Sequence, residues 1–229
     1  MKIQTLVVSL TALALAGACQ ETEAPETEAP VPVPEEQPAA LEVNIIDCGT
    51  LEFTDLDSFS TAGDYAGVAD TMTVPCFLVR HSDGILLWDL GNPGILAEIG
   101  PQTQYGTTAS LDTTLTQQIE DLGLTMSDID YVSISHSHVD HIGQIDQISG
   151  ATWLVHENEL AAMFPPETAQ DEASGQEGRA AEMSAIQRSL YEFFSSLDRK
   201  TFTGEYDVFG DGSVVIFEMP GHTPGHTSL

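Results

Sequence analysis

Basic residues are nearly missing from this chain. Its 229 residues hold 6 Lys and Arg against 36 Asp and Glu, a formal charge of −30. Nucleic acid binds through clustered cations that take up its phosphates, so the balance argues against such a partner. It says little about fold. Cysteine is scarce as well, and three residues cannot build a disulfide scaffold. The one long uncharged apolar run, residues 3–16, is too short for a comfortable membrane-spanning helix. Apolar material is otherwise sufficient. Hydrophobic residues make up 41% of the chain and the mean hydropathy is −0.03, which excludes a wholly disordered polymer. One core can serve roughly 100–250 residues, so the length favours a single folded domain.

Lys2 followed by the run 3–16 reads as the basic start and apolar stretch of a secretory signal. Ala16-Gly17-Ala18 supplies the small-x-small pattern that signal peptidase needs, and Cys19 comes next. The segment Leu15-Ala16-Gly17-Ala18-Cys19 resembles a bacterial lipobox, with Ala16 where Leu is usual, and implies acylation of Cys19. Residues 1–18 are therefore expected to be a signal peptide. The protein is expected to be a periplasmic or outer-membrane lipoprotein, with a soluble secreted form as the alternative. Residues 19–41 repeat Glu-Ala-Pro, lack aromatics and carry frequent prolines, the composition of a disordered acidic tether. Membrane contact is expected only through a lipid on Cys19.

From residue 42 the pattern is that of a folded domain reaching to residue 229. Val43, Ile45 and Ile46 suggest a first strand. Residues 73–80 (TVPCFLVR) and 85–89 (ILLWD) flank an Asp-Gly turn and read as a hairpin. Asp112-Thr113 can cap a helix with Leu115, Ile119 and Leu122 on its apolar face, and Gly123 ends it. Residues 131–135 read as a buried strand, followed by a His-rich loop and a short helix near 142–148, and residues 151–156 as another strand. Met183, Ile186, Leu190, Phe193 or Phe194, and Leu197 recur at helical spacing. Residues 207–209 and 213–218 suggest a last hairpin around Gly210-Asp211-Gly212. Antiparallel hairpins with covering helices imply a layered α/β arrangement.

Five of the seven histidines fall in two short stretches, His136-Ser137-His138-Val139-Asp140-His141 and Gly221-His222-Thr223-Pro224-Gly225-His226. Two His residues two apart in an extended loop point to one side. Asp140 and His141 project elsewhere from the start of the next helix, a spacing that can serve two adjacent metal positions. Imidazole and carboxylate suit one or two Zn2+ ions above all, with Fe2+, Mn2+ or Co2+ as alternatives. No Ser-His-Asp or Cys-His nucleophile arrangement competes, and no Gly-rich phosphate loop is visible.

The H-x-H-x-D-H loop after a strand, with a downstream P-G-H-T-P-G-H, resembles the metallo-β-lactamase-fold hydrolases. The stretch VPCFLVRHSDGILLWDLG, with its D-x-G at Asp89-Leu90-Gly91, resembles the N-acyl-homoserine lactonase branch. The resemblance covers residues 43–229 and implies an αββα sandwich. It implies that His136, His138 and His222 hold a first metal and that Asp140 and His141 contribute to a second. His226 matches a histidine that is usually not a direct ligand, and Asp89 a carboxylate that supports the ligand loop. Gly221 and Gly225 would let the backbone turn tightly beside the metal. Members of the family continue with further strands and a helix, an Asp that bridges the metals and a final His. Here the sequence stops at Leu229, so a fragment lacking those elements is expected, its terminal strand pattern at 226–229 left with nothing to pair.

The chemistry that follows is hydrolysis of a small-molecule lactone or ester. A metal-bound water, acidified to hydroxide, would attack the carbonyl, with Asp140 orienting it and carrying its proton toward the leaving group. A β-lactam or thioester hydrolase of the same fold is one alternative, and a non-catalytic metal-binding remnant is another. A redox di-iron variant is disfavoured because such members carry Glu where this chain has His138. His81 and His156 read as exposed or internally satisfied histidines rather than ligands. Cys48 and Cys76 read as two buried thiols, with a disulfide as the alternative in an oxidising compartment. The apolar stripe 183–197 reads as packing, while Phe164-Pro165-Pro166 and the acidic loop 167–177 are candidates for shaping a pocket. Only six of the acids lie in the tether, so most of the negative charge belongs to the folded surface.

Overall fold

Alternating apolar side chains on the central strands set the architecture, because both faces of the main sheet are covered. The computed structural model describes residues 41–165 and 185–229. The expected signal peptide, Cys19 and the expected tether up to residue 40 lie outside the described residues, as do Pro166, the loop 167–177 and Met183. The chain forms β1 (Glu42–Phe53), β2 (Asp70–His81), β3 (Gly84–Trp88), α1 (Leu96–Ile99), β4 (Gln102–Gln104), β5 (Thr107–Ser110), α2 (Leu115–Asp121) and β6 (Tyr131–Ser133). It continues with α3 (Val139–Ile142), β7 (Thr152–His156), α4 (Glu157–Met163), α5 (Ala185–Ser195), β8 (Arg199–Phe202), β9 (Glu205–Asp207), β10 (Val215–Glu218) and β11 (Thr227–Ser228). Eight strands make one sheet in the order β4-β5-β1-β2-β3-β6-β7-β8, and β11-β10-β9 make a second.

Along β2, β3 and β7, neighbouring residues go to opposite faces, as the period of two requires. Leu78, Leu87, Val132 and Trp153 pack with Leu115 and Ile119 of α2, Ile142 of α3 and Phe194 of α5. Val79, Leu86 and Leu154 pack with Val214 and Ile216 around the second sheet. Each fully buried Leu or Ile contributes about 1.5–3 kcal/mol, so the two clusters together hold helices, large sheet and small sheet as three layers. Among the described residues no helix is long and apolar enough to cross a membrane.

The expected antiparallel hairpins account for only part of the large sheet. β1, β2, β3 and β5 pair antiparallel, but β3–β6, β6–β7 and β7–β8 are parallel. Helices α2, α3 and the pair α4–α5 lie in the crossovers between those strands, and a strand reached through a crossover re-enters in the same direction. The carboxyl ends of β3, β6 and β7 consequently open on one edge of the sheet, the usual place for a ligand site in such folds.

Three local expectations need correction. Cys48 and Cys76 are a disulfide, not two thiols, with Cα atoms 5.7 Å apart. The β1–β2 register shifts between Asp47 and Thr50, and Pro75 opposite Asp47 has no N–H to give; the bond joins the strands beside this interruption. Helix α2 is capped by Thr114, whose hydroxyl accepts from Gln117 N at 3.3 Å, and not by Asp112 or Thr113. The terminal strand is paired: Thr227 and Ser228 lie against Glu218 and Phe217.

Candidate metal centre

Asp89 leaves the end of β3 in a left-handed conformation, φ 61°, which a short polar residue tolerates better than most. The turn is fixed by backbone bonds to α3, Leu90 N to His141 O at 2.9 Å and Gly143 N to Gly91 O at 2.8 Å. Gly91 itself sits so close to Cys48 that a Cβ would collide with it. The conformation aims the Asp89 carboxylate at the loop after β6. It accepts from the backbone N–H of Ser135 at 2.6 Å, the Ser135 hydroxyl at 3.0 Å and His141 Nδ1 at 2.9 Å.

Beyond Ser135, three imidazoles converge. His136 Nε2 lies 3.0 Å from His138 Nδ1 and 3.1 Å from His222 Nε2, and the latter two are 3.0 Å apart. His222 arrives from the turn between β10 and β11, 84 residues beyond His138. Three ring nitrogens in a triangle cannot all be satisfied by one another, since each hydrogen bond needs one N–H aimed along one lone pair. His136 Nδ1 lies 3.1 Å from the Ser135 hydroxyl, which spends its own proton on Asp89; the His136 proton therefore sits on Nδ1 and the Nε2 lone pair faces the other two rings. Burial, and then the neighbouring charges of His141, His138 and His222, hold His136 down to about 2, so it is neutral. Burial and the charge of His222 lower His138 as well. Tetrahedral zinc with bonds of about 2.0–2.1 Å sets its ligands about 3.3 Å apart, so the donor set fits such an ion.

Asp140 and His141 stand beside this triangle. His141 Nε2 is 3.2 Å from Asp140 Oδ2, and its ring centre lies 4.0 Å from that of His136, the two rings tilted by 45°. Burial opposes a charge on His141, but Asp140 and Asp89 outweigh it and lift the imidazole to about 10. Burial would raise Asp140; its bond to His141 and that residue's charge instead bring it below the usual carboxylate range. His226 is not among the converging nitrogens. Its Nδ1 donates to Met219 O at 3.2 Å. His81 and His156 are internally satisfied, by Asp211 at 3.1 Å and Glu218 at 3.0 Å.

Residues 69–229 match the Metallo-beta-lactamase superfamily. The chain belongs to that superfamily. Among its relatives, N-acyl homoserine lactonase AttM of Rhizobium radiobacter is 31% identical over 163 residues, covering 68% of this chain and 58% of that protein. The chain thus spans just over half the length of the curated relatives it matches. Similar solved structures include B. thuringiensis AiiA with N-decanoyl-L-homoserine bound at its active site, with a TM-score of 0.63 and 21% identity over 84% of this chain and 70% of that one. AidC, a dizinc quorum-quenching lactonase in complex with its product, aligns with a TM-score of 0.56 and 17% identity over 83% of this chain and 68% of that one. At these identities the two structures show the metallo-beta-lactamase fold alone.

Around this superfamily's His motif, four supporting residues escaped sequence reasoning. Ser135 links Asp89 to His136. Buried Glu159 in α4 bonds Ser137 N, Thr223 Oγ1 and Gly225 N. Tyr191 and Gln187 of α5 both donate to the carbonyl of Ser137, at 3.2 and 3.0 Å, so the helix that carries the apolar stripe also braces the ligand loop through its polar side chains. Gly225 is needed for contact and not for a tight turn: it has an ordinary φ, and a Cβ would run into the backbone of Glu159.

Proposed function

We propose that this chain carries the metal site of a hydrolase acting on lactone or ester carbonyls. The observation that carries the reading is the triangle of His136, His138 and His222 nitrogens, each 3.0–3.1 Å from the next, beside Asp140 and His141. His136, His138 and His222 would hold a first Zn2+, and Asp140 and His141 would contribute to a second. The metal, when bound, supplies Lewis acidity toward water and a carbonyl oxygen. Asp140, whose carboxyl burial would raise but His141 holds below the usual range, would orient the attacking water and take its proton. Asp89 and Ser135 keep the ligand loop in register, and His226 braces its own turn through Met219 O. Similarity to lactonases supports a lactone ahead of a β-lactam or thioester.

Export is part of the same proposal. The lipobox-like segment at Cys19 and the disulfide between Cys48 and Cys76 together support an oxidising, extracytoplasmic location. Residues 1–18 would be removed, 19–41 would act as a tether, and 42–229 would be the folded part.

The full chain, purified with zinc, is the material for the test. Metal analysis should find one or two equivalents, and N-acyl homoserine lactone should be hydrolysed faster than a β-lactam or a thioester. Full metal loading without turnover of any of the three would replace this reading with that of a metal-binding remnant.

A further inference from the structure

Glu159, the third residue of α4, has only 2% of its surface exposed. A carboxylate so deep is costly unless donors fill its oxygens. Here the donors come from two loops far apart in the sequence. Oε1 accepts from the backbone N–H of Ser137, between His136 and His138, at 2.7 Å. Oε2 accepts from the Thr223 hydroxyl at 2.7 Å and from the Gly225 N–H at 3.1 Å, just after His222. The missing side chain at Gly225 is what lets the loop approach the start of α4. One turn earlier, His156 Nε2 donates to Glu218 Oε2 at 3.0 Å, and the same oxygen accepts from Gly204 N at 3.0 Å. The beginning of α4 therefore grips the β10–β11 connection before and after His222, and grips the His136–His138 loop with the same carboxylate.

The geometry points to Glu159 as a positioning residue that holds the His222 turn against the His136–His138 loop and so sets the nitrogen spacing on which metal affinity depends. The inference rests on the metal reading proposed above. Neither loop can set that spacing alone, because His222 reaches the triangle from the second sheet while the other two histidines follow β6 of the first. A carboxylate is the group that suits the task. Its two oxygens accept from both loops at once, and charge-assisted bonds to N–H and O–H donors are roughly twice as strong as neutral ones.

Glu159→Gln keeps the volume but cannot keep the contacts. Whichever way the amide turns, its NH2 faces the N–H of either Ser137 or Gly225. The Kd for Zn2+, measured by competition with a chromogenic chelator, should rise by about 10–100-fold, the usual effect of losing a residue that orients metal ligands. In metal-free protein the backbone amides of Ser137 and Gly225 should exchange with solvent faster than in the wild type. Thr223→Val removes a single donor and should weaken Zn2+ by less, which keeps the idea testable if the Gln variant does not fold. A folded Glu159→Gln protein with wild-type Zn2+ affinity and unchanged amide exchange overturns the inference. A wild-type chain that takes up no Zn2+ overturns the metal reading instead, and the loop clamp then stands or falls on the amide exchange.

Discussion

The Ser135 hydroxyl lies 3.0 Å from Asp89 Oδ2 and 3.1 Å from His136 Nδ1, so one small side chain joins a strained turn after β3 to the centre of the histidine cluster. It passes the carboxylate's demand for a proton on to the imidazole and thereby leaves His136 Nε2 free of one. Ser135→Ala should break this chain while leaving the Asp89 bond to Ser135 N intact. We expect Zn2+ affinity to fall by about 10–100-fold, measured by chelator competition. The metal-free protein should also lose about 1–3 kcal/mol of stability, since the bond to Asp89 Oδ2 goes and the buried Nδ1–H of His136 is left without its acceptor. Unaltered affinity would show that the His136 tautomer is not set through Ser135.

Metal should stabilise the fold through the three converging nitrogens. At free Zn2+ a hundredfold above Kd, linkage adds about 2.7 kcal/mol, seen as a rise in Tm. His138→Ala or His222→Ala should abolish most of that rise. His226→Ala should keep it, because the His226 ring is turned to Met219 O. A loss of the shift in His226→Ala equal to that in His222→Ala would mean that the triangle is not the metal site.

The motif histidines were legible because their spacing is local and chemically rare. So were most strands and helices, whose apolar periods follow from the residues alone. The parallel half of the sheet had a signal that went unused. Residues 85–88, 131–134 and 153–155 are close to continuous apolar runs, the mark of strands covered on both faces. Glu159 had no such mark. In the sequence it is one more acid in an acidic chain, and its partners lie 22, 64 and 66 residues away. The disulfide stood only as an alternative, since the distance between Cys48 and Cys76 depends on the β1–β2 register and its shift after Asp47.

That disulfide leads to a prediction about stability. Both cysteines are fully buried, so neither should react with a thiol reagent in the native protein, and alkylation after denaturation without reductant should find them joined. The bond spans 28 residues of sequence, and closing a loop of that size removes about 3–4 kcal/mol of unfolded-state entropy. Replacing both with Ala keeps the Cβ that packs against Gly91 and should lower unfolding stability by about 2–4 kcal/mol in urea titrations. Two free thiols in the native protein would remove this support for an oxidising location.

Gly225→Ala tests the approach of the His222 turn to α4 from the other side. Every other nearby group can stay, yet the added methyl has nowhere to go, because it meets the backbone and Cβ of Glu159. Overpacking of this kind costs about 1–3 kcal/mol, so urea midpoints should fall by a corresponding amount. The strain has two ways to relax. The turn can move off α4, which lengthens the Glu159 bonds to Thr223 and Gly225 and draws His222 out of the triangle. Alternatively α4 can shift, which loosens its bond to Ser137 N instead. Both routes widen the spacing between His222 and the other two rings, so Zn2+ should bind less tightly as well as the fold being weaker. Chelator competition on the folded variant separates the two effects. A variant destabilised by that amount but with wild-type Zn2+ affinity would show that the turn carries His222 independently of its seat on α4.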